Sequence, residues 1–192
     1  MQQTLTKLLT LPKPEWQWVP GKDTDLTALG FSSDDAPDLI AIAKTEHIPD
    51  EPDHEPTDAD WSAATHAYRA LAELADPAHL PVFFDLLIHP AYDDDDLFNE
   101  DIIEILPLYG DAAVQPCLTA MQDQEADEIS RLTHVDILEK LATSGQEKTK
   151  IIQHFSAYLD EKHFTRLLNA SIIAALIELN ASSETDRECR KT

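Results

Sequence analysis

Apolar residues recur every three or four positions along most of the chain from residue 58 onward. This period is typical of amphipathic α-helices. Thr57 and Asp60 resemble a capping box ahead of the first stripe, and Asp76 with Pro77 interrupts it before a second stripe begins at Leu80. The pattern therefore predicts a helix, a tight corner and a second helix. The first stripe consists of Trp61, Ala64, Tyr68, Leu71, Leu74 and Ala75.

The same unit of helix, corner and helix recurs 35 residues further along the chain. Residues 71–87 align with residues 106–122, and this alignment places Pro81 on Pro116. We expect both prolines in the first turn of a second helix, because the backbone N–H that proline lacks has no partner there.

A third unit pairs residues 129–142 with residues 148–159, and a fourth first helix is predicted over residues 164–179. Helix hairpins that recur every ~30 to 40 residues indicate an α-solenoid, in which each unit packs on its neighbours. The predicted fold is all-α, a right-handed α-α superhelix of three to four helix pairs. Its expected core is apolar: Trp61, Tyr68, Leu71, Leu74, Leu80, Phe83, Phe84, Leu87, Ile102, Ile103, Leu106, Val114, Cys117, Leu118, Met121, Leu132, Val135, Leu138, Leu141, Ile152, Phe155, Leu159, Leu168, Ile172, Leu176 and Leu179.

The stretch ALAELADP, followed by HLPVFFDLL and echoed at residues 109–121, resembles the degenerate HEAT-like repeats of many small uncharacterised bacterial proteins. The resemblance covers residues 60–181. Tetratricopeptide repeats have a similar period, but their tryptophan, glycine and tyrosine positions do not recur here. The resemblance implies a curved stack of helix pairs that serves as a binding surface. It implies no particular ligand.

The N-terminal residues 1–60 differ in composition and are predicted to form an irregular cap. Short helices are indicated at residues 4–10 and 34–44, and an acidic, proline-rich strap covers residues 48–60. Trp16 and Trp18 are expected to cover the apolar end of the first repeat, or else to contact a partner. The repeats then occupy residues 61–181, and a charged tail covers residues 182–192.

Acidic residues are concentrated in one part of the chain. Residues 45–130 contain 22 acidic residues and one basic residue, Arg69, while the whole chain has a net charge of −23. This charge argues against nucleic-acid binding, because phosphate recognition needs the opposite sign. It favours a basic or amphipathic protein partner. The candidate partner-binding residues are Asp50, Glu51, Asp53, Glu55, Asp93, Asp94, Asp95, Asp96, Glu100, Asp101 and Glu104.

Metal-binding and catalytic motifs fail on their spacing. The acidic loop at residues 93–96 resembles the start of an EF-hand, but Phe98 stands where that motif requires glycine. The eight histidines form no HxH or HExxH sequence. The acidic loop is instead expected to favour the start of the following helix. We therefore expect no metal, no cofactor and no enzymatic activity.

Two alternatives to a simple interaction module stay open at this point. One is an inhibitor or immunity-type protein whose acidic surface imitates the charge of a nucleic acid. The other is a metal-dependent hydrolase that uses the loop at residues 93–96 together with His89 or His66.

Cellular location and assembly are less constrained by the sequence. A cytoplasmic protein is expected, since no apolar run approaches the ~18 to 20 residues of a membrane span. Cys117 and Cys189 are not expected to pair. The last predicted helix has no evident partner, so its end is covered by the charged tail or is an apolar surface for dimerisation. A monomer and a homodimer are both compatible with this pattern.

Overall fold

The computed structural model describes residues 1–21, 26, 29–45, 58–89, 92, 95–145, 147–160 and 165–189, and it describes the same side chains apart from those of residues 58–61 and 181–189. Within this part of the chain every regular element is helical and no strand is present, which confirms the all-α fold class. The α-helices are α1 (Gln2–Leu9), α2 (Ala36–Ala43), α3 (Asp58–Glu73), α4 (Leu80–Leu87), α5 (Asp96–Ile105), α6 (Asp111–Gln122), α7 (Glu128–Thr143), α8 (Lys148–Asp160) and α9 (Arg166–Cys189).

The chain forms two compact units, Met1–Leu108 and Tyr109–Thr192, which we term the N-terminal and C-terminal units. The boundary falls within the range predicted for the repeats. In the N-terminal unit α1 and α2 pack on α3, and α5 also contacts α3. The two short helices predicted for the cap are confirmed as α1 and α2.

The predicted corner after α3 is present. The Asp76 carboxylate accepts a hydrogen bond from the backbone N–H of Ala78 at 2.9 Å, and this contact caps a short 3-10 turn at Pro77–His79. Pro81 then lies in the first turn of α4, as predicted.

The corresponding prediction for Pro116 is wrong, because this proline lies inside α6. Gly110 has a positive φ of 53°, which glycine adopts without a steric penalty, and α6 begins directly after it at Asp111. The helix therefore starts a full turn earlier than the alignment of the two prolines implied.

In the C-terminal unit α7 packs against α6, α8 and α9, and α8 also contacts α9. The third predicted unit is thus confirmed in position as α7 and α8. The final helix is longer than predicted, since α9 continues past Leu179 to Cys189. No glycine or proline interrupts that stretch, so nothing in the backbone chemistry ends the helix earlier.

Most residues of the predicted core are buried. The side chain of Trp61 lies outside the described ones. Buried residues that the prediction omitted include Trp18, Leu39 and Phe98. The predicted core residues that are only half-buried are Leu74, Phe84, Leu87, Ile103, Leu132, Ile152, Leu159 and Leu176.

A search for membrane spans among the described residues found no helix that combines sufficient length with sufficient apolar character.

Candidate functional site

Two polar residues of α3, one helical turn apart, contact the backbone of residues 12–21. We term these residues, which follow α1, the N-terminal segment. His66 and Arg69 lie on the same face of the helix, because residues three apart are neighbours on an α-helix. The His66 Nε2 lies 2.8 Å from the Pro12 carbonyl oxygen. The Arg69 Nη2 donates a hydrogen bond to the Glu15 carbonyl at 3.0 Å. Both side chains therefore hold backbone that has no regular secondary structure of its own.

Glu73 extends this face of α3 by one more turn. Its carboxylate accepts hydrogen bonds from the backbone N–H of Leu26 at 2.9 Å and of Gly21 at 3.3 Å. Buried or half-buried backbone groups need such partners when no strand or helix supplies them. The backbone of residues 12–21 and of Leu26 thus takes its position from side chains of α3.

The contact with Pro12 fixes which ring nitrogen of His66 carries a proton. Because a carbonyl oxygen only accepts hydrogen bonds, the Nε2 must carry the proton. Burial lowers the pKa of His66, the hydrogen bond to Pro12 raises it, and the nearby Arg69 charge lowers it further. The lowered pKa favours the neutral ring of His66 at neutral pH, and its Nε2 holds the backbone at Pro12.

A buried ion pair joins α3 to α5. The Arg69 Nε lies 2.7 Å from Oδ2 of Asp101 and the Arg69 Nη2 lies 3.1 Å from Oδ1, so the guanidinium donates to both oxygens. The Tyr68 hydroxyl donates a third hydrogen bond to Oδ2 at 2.7 Å. The side chains of Arg69 and Asp101 are only 4% and 1% exposed.

This pair corrects one of the predicted partner-binding residues. Asp101 is not available to a partner, since it is buried and its carboxylate is satisfied by Arg69 and Tyr68. Burial raises the pKa of Asp101, and the hydrogen bonds and charge of Arg69 oppose that rise. Burial likewise raises the pKa of Tyr68 well above its ordinary value, so the phenol stays protonated and donates.

Trp18 covers the ion pair from the side of the N-terminal segment. The guanidinium carbon of Arg69 lies 5.3 Å from the centroid of the Trp18 ring, a cation–π distance. Trp18 is buried, and its neighbour Gln17 adopts a positive φ of 60°. Trp16, by contrast, is 60% exposed, so only one of the two tryptophans covers the helices.

A groove of about 290 Å³ lies between the N-terminal segment and α5. Trp18, Val19 and Ile103 give it a largely apolar lining, and Glu100 and Glu104 stand one helical turn apart along its α5 side. Glu100 is exposed and Glu104 is half-buried. The groove can therefore accept a side chain whose stem is apolar and whose end carries a positive charge. Gln17 and Asp101 complete its lining.

The other predicted acidic residues divide into three groups. Asp95 caps α5, because its carboxylate accepts a hydrogen bond from the Phe98 backbone N–H at 3.0 Å, and the expected role of the acidic loop at a helix start is confirmed for this residue. Asp96 is exposed in the first turn of α5. The remaining six lie outside the described residues: Asp50, Glu51, Asp53, Glu55, Asp93 and Asp94.

The described part of the chain was also searched for metal-ligand clusters and for reactive thiols. Its His, Cys, Asp and Glu side chains form no group of three or more that could hold a metal ion. Cys117 is buried, and burial raises the pKa of its thiol to about 12, so it packs as a small apolar residue.

The ion pair and the groove were not found by sequence reasoning. A signal was present, since Arg69 is the one basic residue among the 22 acidic residues of residues 45–130. A single cation directly beside the apolar stripe of a helix indicates a buried partner, because an unpaired buried charge is strongly unfavourable.

Comparison of the chain with protein-family models, with curated proteins and with solved structures gave no match.

Proposed function

We propose that this chain is a non-enzymatic interaction module that binds a basic segment of a partner protein in the groove between the N-terminal segment and α5. The observation that carries the proposal is the combination of an apolar lining from Trp18, Val19 and Ile103 with the carboxylates of Glu100 and Glu104. Lysine and arginine side chains match it, because they carry a long apolar stem and a charged end.

Charge is the second support for a basic partner. The chain has a net charge of −23, so a cationic segment is attracted from a distance and associates faster at low salt. An ion pair at an exposed carboxylate such as Glu100 contributes only ~0.2 to 1 kcal/mol. The apolar lining must therefore supply part of the affinity, and a segment that alternates basic and apolar residues fits better than a purely basic one.

The fold proposed with this function is the HEAT-like stack of helix pairs. Its support comes from the C-terminal unit, where α7 and α8 form a hairpin and α9 packs on both helices. This is the contact pattern expected when the first helix of one repeat stacks on the repeat before it. The supports for the non-enzymatic character are the roles of His66 and Asp101 in packing.

Fluorescence anisotropy of a labelled peptide of alternating lysine and leucine, titrated with the full chain at 0.05 M salt, tests the proposal. We expect the double variant Glu100→Gln with Glu104→Gln to bind at least fivefold more weakly than the unmodified chain. The matched control is Asp123→Asn with Glu125→Gln, which removes two exposed charges from the loop after α6 and should change binding less than twofold.

Equal losses in the two double variants would contradict a groove and would favour the alternative of a diffuse acidic surface that imitates nucleic acid. Binding that does not weaken between 0.05 and 0.5 M salt would contradict any charge-based role, since exposed charges are screened over this range.

A further inference from the structure

Helix α9 has apolar residues on two opposite faces. One face is buried within the C-terminal unit and consists of Leu168, Ile172, Ala175 and Leu179, at spacings of four, three and four. The other face is exposed, although three large aliphatic residues lie on it: Leu167 is 57% exposed, Ile173 48% and Ile177 62%. A helix needs only one apolar face to pack on its unit, so the second face requires its own explanation.

Four residues of the exposed face, which we term the α9 outer face, follow a symmetric spacing. Leu167, Ala170, Ala174 and Ile177 follow at spacings of three, four and three, and all four are exposed. The midpoint of this series is Ile172. If a second α9 ran antiparallel across the outer face, with a two-fold axis at the level of residue 172, Leu167 would lie opposite Ile177 of the other copy. Ala170 would lie opposite Ala174, where small side chains allow the two backbones to approach closely.

The charged residues at the ends of the outer face obey the same symmetry. Arg166 and Glu178 are both exposed and are equally distant from residue 172. The antiparallel arrangement therefore places each Arg166 opposite Glu178 of the other copy, and the two-fold axis generates this ion pair twice. A parallel arrangement would place like charges together instead.

The surroundings of Glu178 favour the arrival of a cation. Glu178 lies close enough to Glu139 on α7 to affect its titration, and Asp136 does so as well. The pKa of Glu139 is raised mainly by burial and further by these two negative charges. A guanidinium from another copy would offset the repulsion among these three carboxylates.

We propose that the α9 outer face binds the same face of a second copy of this chain, antiparallel, with Leu167 against Ile177 and Arg166 against Glu178. The proposal does not depend on the groove in the N-terminal unit. The face from residue 167 to residue 177 is only ~15 Å long at 1.5 Å per residue. An interface of this size is small, so we expect a concentration-dependent dimer with a dissociation constant on the order of 10 to 100 µM.

Sedimentation equilibrium of the full chain from 1 to 500 µM, in 0.05 M salt, tests this proposal. We expect Ile177→Asp to weaken the dimer at least tenfold, because it places a charge in the apolar part of the interface. Arg166→Glu and Glu178→Arg should each weaken it about threefold to tenfold, and the double variant carrying both changes should recover the affinity of the unmodified chain. Circular dichroism establishes that each variant is folded.

The single variant Glu178→Arg separates this geometry from a general charge effect. It makes the strongly acidic chain less negative, which by itself would strengthen self-association. The proposed register predicts weakening instead, because the introduced guanidinium would face Arg166 of the other copy.

The matched control Lys13→Glu changes the net charge as Arg166→Glu does, at an exposed position in the N-terminal unit, and should have less than a twofold effect. A chain that stays monomeric to 500 µM, a double variant that does not recover, or tighter association of Glu178→Arg would each overturn the proposal.

Discussion

The two units of this chain differ in the interactions that stabilise each of them internally. The residues of the N-terminal unit include 23 acidic and five basic residues, while those of the C-terminal unit include 14 acidic and nine basic ones. In the N-terminal unit Arg69, Asp101 and Glu73 tie irregular backbone and α5 to α3. In the C-terminal unit long apolar faces of α7 and α9 pack directly. In the acidic N-terminal unit, the buried cation of Arg69 thus joins α3 to α5 and to the N-terminal segment.

The same difference extends to the binding surfaces that we propose. The groove of the N-terminal unit is completed by a non-helical segment and is rimmed by carboxylates, which suits a basic partner of another kind. The outer face of α9 belongs to one continuous helix and carries charges of both signs, which suits a second copy of itself. In our proposals, the N-terminal unit, which packs through polar contacts, has a groove that selects positive charge. The C-terminal unit, which packs through apolar contacts, has a face that is complementary to itself.

The largest effect is expected from breaking the ion pair of the N-terminal unit. Asp101→Leu leaves Arg69 buried without its carboxylate, and such a loss destabilises a protein by ~3 to 5 kcal/mol. All three tryptophans, Trp16, Trp18 and Trp61, belong to this unit, so tryptophan fluorescence during urea unfolding follows it selectively.

The double variant Arg69→Met with Asp101→Leu supplies the control for this prediction. It removes both charges and keeps most of the volume, so it should be clearly more stable than Asp101→Leu alone. If the single and double variants unfold at the same urea concentration, the buried charge is not the cause of the loss.

An intermediate effect is expected from truncation of the two faces of α9. Ile172 is buried and Ile177 is exposed on the same helix, so identical substitutions compare the two environments directly. Ile172→Ala should lower the free energy of unfolding by ~2 to 4 kcal/mol, since it leaves a cavity in the C-terminal unit. Ile177→Ala should change it by less than ~0.5 kcal/mol at 1 µM, where the chain is monomeric. Circular dichroism during urea unfolding measures both, and equal losses would contradict the assignment of the outer face.

Helix positions could be predicted from the sequence because the apolar period is local. The pairing of Arg69 with Asp101 could not, since the residues are 32 apart and meet only through the packing of α3 on α5. The groove was missed for a similar reason, because Trp18 lines it only after His66 and Arg69 have fixed the N-terminal segment. For α9 the sequence shows apolar residues on both faces, and only tertiary packing determines which face is covered.

The smallest effect is expected from pH, and it compares one buried histidine in each unit. Burial lowers the pKa of His66 in the N-terminal unit and of His134 in the C-terminal unit, although hydrogen bonds to the carbonyls of Pro12 and Ser130 oppose this. Below about pH 6.5, the ordinary pKa of histidine, these two rings therefore bind more protons in the unfolded chain than in the folded chain. The stability from the neutral rings is fully present above pH 6.5 and is lost as the pH falls toward their folded pKa values.

The variant His66→Gln isolates this contribution, because glutamine can still donate to Pro12 but does not titrate. Protonation of surface carboxylates at lower pH relieves the repulsion of the acidic chain and acts in the opposite direction, so the informative quantity is the difference between the variant and the unmodified chain. We expect tryptophan fluorescence to show that the unmodified N-terminal unit loses more stability than His66→Gln between pH 7 and 5. His134→Gln should leave that fluorescence difference unchanged, because its ring lies in the other unit. Parallel pH profiles for His66→Gln and the unmodified chain would mean that the N-terminal segment, and with it the groove, does not depend on a neutral His66.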